Sequence, residues 1–170
     1  QHHFKAKRFE HIHGVGVNTE LFKAVDQGQK SVLRKLFGFH QNDFIMFYGA
    51  EFNKNKNQKF LIESLSLIKN EVPNAKLLLA GEGVMLDHCR NLAEKLGVED
   101  MVEFLGLRND IEKLLKLSDT AVASSQREGL PVNIMEAMSC GLPVIATDNR
   151  GHRELIHNNK NGWIIKNNNV

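Results

Sequence analysis

The chain predicts an α/β fold, a Rossmann-like doubly wound parallel sheet, on three observations. Short apolar runs alternate with amphipathic stretches, the pattern of parallel strands joined by crossover helices. At 170 residues and 42% hydrophobic content the sequence can bury one ordinary core and should form a single domain. A Glu-Gly-Leu-Pro turn directly follows one of the apolar runs, where such sheets bind ligands, beyond the carboxyl ends of their strands.

The elements follow in order. Phe44-Ile45-Met46-Phe47-Tyr48 is an unbroken apolar run and reads as the first strong strand. Further strands are expected at 76–80, 102–105, 120–123, 143–146 and 162–165, each a short apolar run of the kind a sheet buried on both faces requires. Between them, 58–70, 85–96, 111–117, 131–139 and 152–156 carry the mixed polar and apolar pattern of helices. Asp110 precedes the helix expected at Ile111, and Asp is a favoured N-cap. No internal repeat is visible, and the Asn-rich end from Asn158 to Asn169 reads as turn and tail.

Composition excludes several functions. A net charge of +2 is too small to imply a nucleic-acid partner, and the local basic stretch with Lys5, Lys7 and Arg8 reads as a solvated face. Cys89 and Cys140 are isolated, so neither a disulfide scaffold nor a zinc site is indicated, and a reducing compartment is expected. His11 and His13 alternate as on a strand but lack a third ligand nearby, so solvent-facing histidines are expected and no metal site. No apolar stretch approaches a membrane span, and the start does not read as a signal peptide; the chain reads as soluble.

The chemistry is concentrated in Glu128-Gly129-Leu130-Pro131-Val132-Asn133-Ile134-Met135-Glu136. Pro131 suits the first position of a helix. A tight turn before it would leave the amides of Leu130, Val132 and Asn133 pointing from a helix N-terminus, where a phosphate is favoured. Eight helical steps span roughly 12 Å, so Glu128 and Glu136 should bracket that site without facing each other. A glycosidase pair stands closer, about 5–9.5 Å, which disfavours a hydrolytic dyad. An elongated ligand with hydroxyls at both ends and a diphosphate between them, a nucleotide-sugar, fits the gap. The alternative is that Glu136 is an ordinary helix glutamate and Glu128 an N-terminal charge favoured by the dipole; spacing alone leaves both open.

This segment, with Glu136-Ala137-Met138-Ser139-Cys140-Gly141-Leu142-Pro143-Val144, resembles the E-x7-E signature of family 4 of the retaining GT-B glycosyltransferases, the group 1 glycosyl transferase type. Ile12 to Phe22, Leu79-Ala80-Gly81-Glu82-Gly83, Leu96 to Asp100 and Val102-Glu103-Phe104-Leu105-Gly106 are similar to that family in order and spacing, so the resemblance runs from about Ile12 onward. It implies that residues 1–22 are an interdomain linker and 23–170 the C-terminal nucleotide-sugar-binding lobe, with the N-terminal acceptor lobe outside this chain. It implies transfer of a sugar from a nucleotide-diphosphate donor to an acceptor hydroxyl, with retention and with no metal or other cofactor. The expected partners are the nucleotide-sugar and a glycan or lipid-linked acceptor, in polysaccharide, capsule or glycolipid assembly. The intact enzyme would then be cytoplasmic, at the inner face of the membrane. Alone, this lobe should bind nucleotide and transfer little.

By the same resemblance Glu128 would hold donor-sugar hydroxyls, Glu136 the ribose, and Lys56 the diphosphate. In the family an arginine precedes that lysine; here its position holds Glu51, and a carboxylate beside a diphosphate is repulsive. Lys54 could share the role of Lys56, or both could simply belong to a polar loop before a helix. Leu107 and Arg108 follow a strand where relatives receive the base through backbone groups. Gly16, with Gly14, resembles the turn facing the other lobe, although glycines there can simply permit a bend. Gly81 and Gly83 belong to a strand-to-helix turn on the ligand face; the third glycine of a dinucleotide fingerprint is replaced by Leu86, which weakens a nicotinamide reading. A non-catalytic nucleotide-sugar module and a GT-B-like nucleotide-sugar epimerase are the remaining alternatives.

Overall fold

In the computed structural model, which describes residues 14–166, six strands form one parallel sheet. They are β1 (Phe44–Gly49), β2 (Ala75–Ala80), β3 (Val102–Gly106), β4 (Thr120–Ala123), β5 (Val144–Thr147) and β6 (Gly162–Ile165). Their order is β3-β2-β1-β4-β5-β6 and every neighbouring pair is parallel. The chain builds outward from β1 through β3, then returns to the other side of β1, so a crevice opens where β1 and β4 meet. Helices α1 (Gln27–Leu36), α2 (Gln58–Ile68), α3 (Leu86–Leu96), α4 (Ile111–Leu117), α5 (Val132–Ser139) and α6 (Arg150–Leu155) cover it, with a 3₁₀ turn at Glu99–Met101. α2 packs on α3, α1 on α4, and α5 against β4 and β5. Ile45, Leu78, Leu79, Val144 and Ala146 are fully buried, which is why these strands read as continuous apolar runs. His11, His13, Lys5, Lys7 and Arg8 lie outside the described residues.

Helix α1 is absent from the pattern of apolar runs. Its only buried residue is Arg34, and of its large apolar residues Leu33 packs against the core while Val32 and Leu36 are 67% and 72% exposed, so they do not together mark the face it buries. A capping box starts it: Asp26 Oδ1 accepts from the Gln29 amide at 2.8 Å and Gln29 Oε1 from the Asp26 amide at 3.3 Å. Asp119, just before β4, then ties the helix to the sheet. Its carboxylate accepts from Lys30 Nζ at 2.7 Å, Arg34 Nη2 at 2.6 Å and the Ile45 amide at 2.7 Å. Burial alone would raise the Asp119 carboxyl, but these donors hold it below its ordinary value.

Three expectations need correction. Pro131 (φ −78°, ψ 93°) is the N-cap residue of α5, not its first helical residue, and its carbonyl accepts from the amides of Ile134 and Met135. Glu128 therefore stands ahead of the helix, and an eight-residue helical rise does not set its separation from Glu136. Asp110 sits at the N-cap of α4 but makes no cap, because Arg108 Nε and Nη2 take both its carboxylate oxygens at 2.8 and 2.6 Å. The last helix starts earlier than 152, since Asn149 caps it by accepting from the His152 amide at 3.0 Å.

Candidate functional site

A cleft of about 370 Å³ opens over the carboxyl ends of β1 and β4. The loops that shape it are held by close backbone packing. The Ala50 amide donates to Ala80 O at 2.9 Å, Phe52 to Glu82 O at 2.7 Å and Met85 to Phe52 O at 3.0 Å, which zips the loop after β1 to the loop after β2. Gly81 (φ +141°) and Gly83 (φ +145°) permit this approach: a β-carbon would lie 2.1 Å from Ala50 O at the first and 2.4 Å from Phe52 O at the second. Gly81 lines the cleft, whereas Gly83 serves the packing behind it.

Glu51, Leu107, Arg108, Asn133 and Glu136 also line the cleft. Asn133 Nδ2 donates to Gly49 O at 3.2 Å, fixing the first turn of α5 against the end of β1. Glu136 is half-buried in the wall, and burial pushes its carboxyl above its ordinary value. Glu51 occupies the cleft edge, where its Oε2 accepts from Asn53 Nδ2 at 2.9 Å. The Arg108 guanidinium is committed to Asp110, so it presents a neutralised pair rather than a free cation.

The other end of the segment is a charged pair. Lys56 Nζ meets Glu128 Oε1 at 2.6 Å, and the two side chains are only 25% and 13% exposed. Two loops are knitted to bring them together. Lys56 O accepts from Ser124 Oγ at 2.7 Å and from the Tyr48 hydroxyl at 3.3 Å. Asn55 clasps the loop after β4 through Gln126 N to Asn55 O (2.8 Å), Arg127 N to Asn55 Oδ1 (3.2 Å) and Asn55 Nδ2 to Arg127 O (3.1 Å). From behind, a β-carbon on Gly151 would fall 2.6 Å from Gly129 O, so only glycine lets α6 back onto the turn.

Beside this pair α5 begins without a side-chain cap. Among the described residues, the amides of Leu130, Val132 and Asn133 donate to no protein group. Free amides, the positive end of a helix and the Lys56 ammonium together form a place for an anion. Glu128 balances that charge. Lys54 is exposed on the same loop. Gly129 and Leu130 are exposed at the turn and Pro131 is buried beneath it. A β-carbon on Gly14 would approach Leu130 Cδ2 to 3.7 Å, so the segment before α1 passes this turn; nothing comes within 4 Å of one on Gly16. The buried polar residues Tyr48, Ser124, Ser125, Thr147, Asn149 and His152, which underlie the pair, were invisible to motif reasoning. Among the described residues no three His, Cys, Asp or Glu side chains converge to hold a metal ion, and no helix is long and apolar enough to cross a membrane.

Comparison with known proteins agrees with this fold. The sequence model described as "Glycosyl transferases group 1" matches residues 29–170. EpsD of Bacillus subtilis (strain 168), named as a glycosyltransferase, is 50% identical over 159 residues, covering 94% of this chain and 42% of that protein. The UDP-Gal:alpha-D-GlcNAc-diphosphoundecaprenol alpha-1,3-galactosyltransferase of Escherichia coli is 30% identical over 159 residues, covering 91% of this chain and 41% of that protein. The crystal structure of HepE from Anabaena in complex with UDP-glucose superposes with a TM-score of 0.80 at 29% identity, covering 89% of this chain and 42% of that one. The chain thus spans less than half the length of these relatives.

Proposed function

Because this chain belongs to the group 1 glycosyl transferases and folds as one lobe of a GT-B enzyme, we propose that it binds the donor of a retaining glycosyl transfer, a nucleotide-diphosphate-sugar. One observation carries the proposal: the crevice at the β1/β4 reversal has Glu136 in its wall, and the Lys56–Glu128 pair and the uncapped start of α5 stand at the far end of the same short segment. The ribose hydroxyls would bond Glu136. The diphosphate would sit on the amides of Leu130, Val132 and Asn133 and draw Lys56 toward itself. Glu128, released from Lys56, would then accept from the donor-sugar hydroxyls.

The work asked of these groups is electrostatic. As the sugar–phosphate bond breaks, negative charge grows on the leaving diphosphate, and donors already aimed there stabilise it without reorganising. Neither glutamate has to act as nucleophile; the departing phosphate oxygen would take the proton of the incoming acceptor hydroxyl on the same face, giving retention. No metal enters this scheme. The base would pack near Leu107 and Arg108, and the UDP-sugars named with the two relatives above favour uridine. Acceptor binding belongs to a second lobe. A lipid-linked acceptor, met at the cytoplasmic membrane face, suits a relative named for transfer to a GlcNAc-diphosphoundecaprenol.

Calorimetric titration with UDP, GDP and ADP, with and without Mg²⁺, on the native chain and on Glu136→Ala tests the proposal. Metal-independent binding of UDP that the substitution weakens is the expected outcome. Binding of none of the three, or equal binding by the variant, would refute the assignment.

A further inference from the structure

Six polar residues are buried beneath the Lys56–Glu128 pair, Tyr48 among them also at the cleft wall, and they form one connected string. His152 Nδ1 lies 2.6 Å from Thr147 O, and the His152 amide is held by Asn149 Oδ1 at 3.0 Å. Asn149 Nδ2 and Thr147 Oγ1 both donate to Ser125 O, at 2.9 and 2.7 Å. The Ser125 hydroxyl pairs with the Tyr48 hydroxyl at 2.8 Å, and Tyr48 together with Ser124 holds the Lys56 carbonyl. The string crosses the carboxyl ends of β5, β4 and β1, three adjacent strands, and ends on the residue whose ammonium meets Glu128.

Burying so many polar groups is unfavourable unless each is paired, and a packed apolar cluster would hold three loops together as well. What a paired string adds is direction, since every hydrogen bond fixes one orientation. The Thr147 carbonyl can only accept, so its 2.6 Å contact puts the ring proton on Nδ1; Asn149 Nδ2, 2.9 Å from the same nitrogen, donates instead to Ser125 O, and Nε2 is an acceptor without a partner among the described residues. Burial lowers the ring's value, with Lys56 acting the same way, against the hydrogen bond to Thr147 O and the carboxylates of Glu128 and Asp148, which raise it. A neutral ring next to that pair competes for neither charge.

We propose that the string from His152 through Asn149, Ser125 and Tyr48 is a positioning device that sets where Lys56 and Glu128 stand, and so controls affinity for the diphosphate-sugar part of the donor without touching it. This rests on the donor-binding assignment above. Its test has two readouts on Tyr48→Phe, His152→Leu and His152→Asn: calorimetric affinity for UDP-glucose and UMP, and the rate at which Lys56 is acylated by an amine reagent, followed by peptide mass spectrometry.

Removing the Tyr48 hydroxyl in Tyr48→Phe or the ring N–H in His152→Leu should weaken UDP-glucose about tenfold, change UMP by less than about twofold, and speed Lys56 acylation several-fold. His152→Asn keeps an N–H for Thr147 O and should restore both readouts. Equal weakening of UDP-glucose and UMP, or no rescue by asparagine, would reduce the string to plain structural support. Unchanged affinity with unchanged acylation in folded variants would overturn the proposal outright. If the native chain binds neither ligand, the donor assignment falls, and the acylation series alone still decides whether the string positions Lys56.

Discussion

Replacing Lys56 by methionine isolates the charge at the centre of the site. The substitution keeps the aliphatic stem and removes the ammonium that meets Glu128 at 2.6 Å. A charge-assisted hydrogen bond of this kind is worth about 1.5–3 kcal/mol when enclosed, but Lys56 is 25% exposed, so solvent screening moves the figure to the lower end. The stranded Glu128 carboxylate then keeps the company of the α5 N-terminus, which returns about 0.3–1 kcal/mol. The net loss for Lys56→Met should be about 0.5–1.5 kcal/mol, a fall in Tm of about 1–6 °C for a chain of this size. Glu128→Gln strands the lysine, which can reach water, and should cost about 0.5–1 kcal/mol. A double-mutant cycle by urea denaturation should give a coupling of about 1 kcal/mol, smaller in high salt. Coupling below about 0.3 kcal/mol at low salt would show that the pair stores no interaction to be exchanged for a diphosphate. The scheme would then lose its premise.

Three further outcomes follow from the geometry. Gly81→Ala would force a β-carbon to 2.1 Å from Ala50 O at φ +141°, so the zip between the first two loops should open, with a loss of about 3 kcal/mol or more by denaturation and failure to bind UDP. Glu136→Gln should stabilise the chain at pH 7 while weakening nucleotide binding. Its folded carboxyl titrates above the ordinary 4.5, so its contribution is full below that value and lost as pH rises through the folded one; a variant no more stable than the native chain would contradict this. His152 behaves oppositely. Its folded value lies below 6.5, so its contribution is full above about that pH and lost as pH falls through the folded value, and the urea midpoint should drop between pH 7 and 5 by more in the native chain than in His152→Asn.

Much of the fold was legible in the sequence because its strands are marked locally along the chain. All six strands were marked by apolar runs, since a parallel sheet covered on both faces leaves no polar alternation to confuse them. Glu128, Glu136 and Lys56 were marked by spacing and resemblance, and the structure sets Lys56 against Glu128, from a loop 72 residues earlier. Helix α1 was not legible because it packs through Arg34 and Lys30 onto Asp119, partners that no local periodicity announces. Asp110 misled for a related reason. A helix cap is a local signal, but a bidentate guanidinium two residues away outcompetes a backbone amide for the same carboxylate. Tyr48, Ser125 and His152 become a set only after β1, β4 and β5 are laid side by side.

The two ends of the sheet divide the labour that these observations describe. At the amino ends, Asp119 is surrounded by Lys30, Arg34 and the Ile45 amide, with its carboxyl held low: every charge there is answered, and the arrangement stabilises. At the carboxyl ends the balance is reversed. Glu136 is held against burial, the α5 amides are unanswered, Gly81, Gly83 and Gly151 each admit a backbone contact no side chain would tolerate, and the Lys56–Glu128 pair has a helix N-terminus beside it. Groups that leave interaction unsatisfied in the empty state are the ones a ligand can reward with binding. A chain selected only to fold would have filled the cleft at Glu136 with a leucine and capped α5 with a serine. That it does neither, at the end of the sheet where the strand order reverses, is the physical case for a donor site in this lobe.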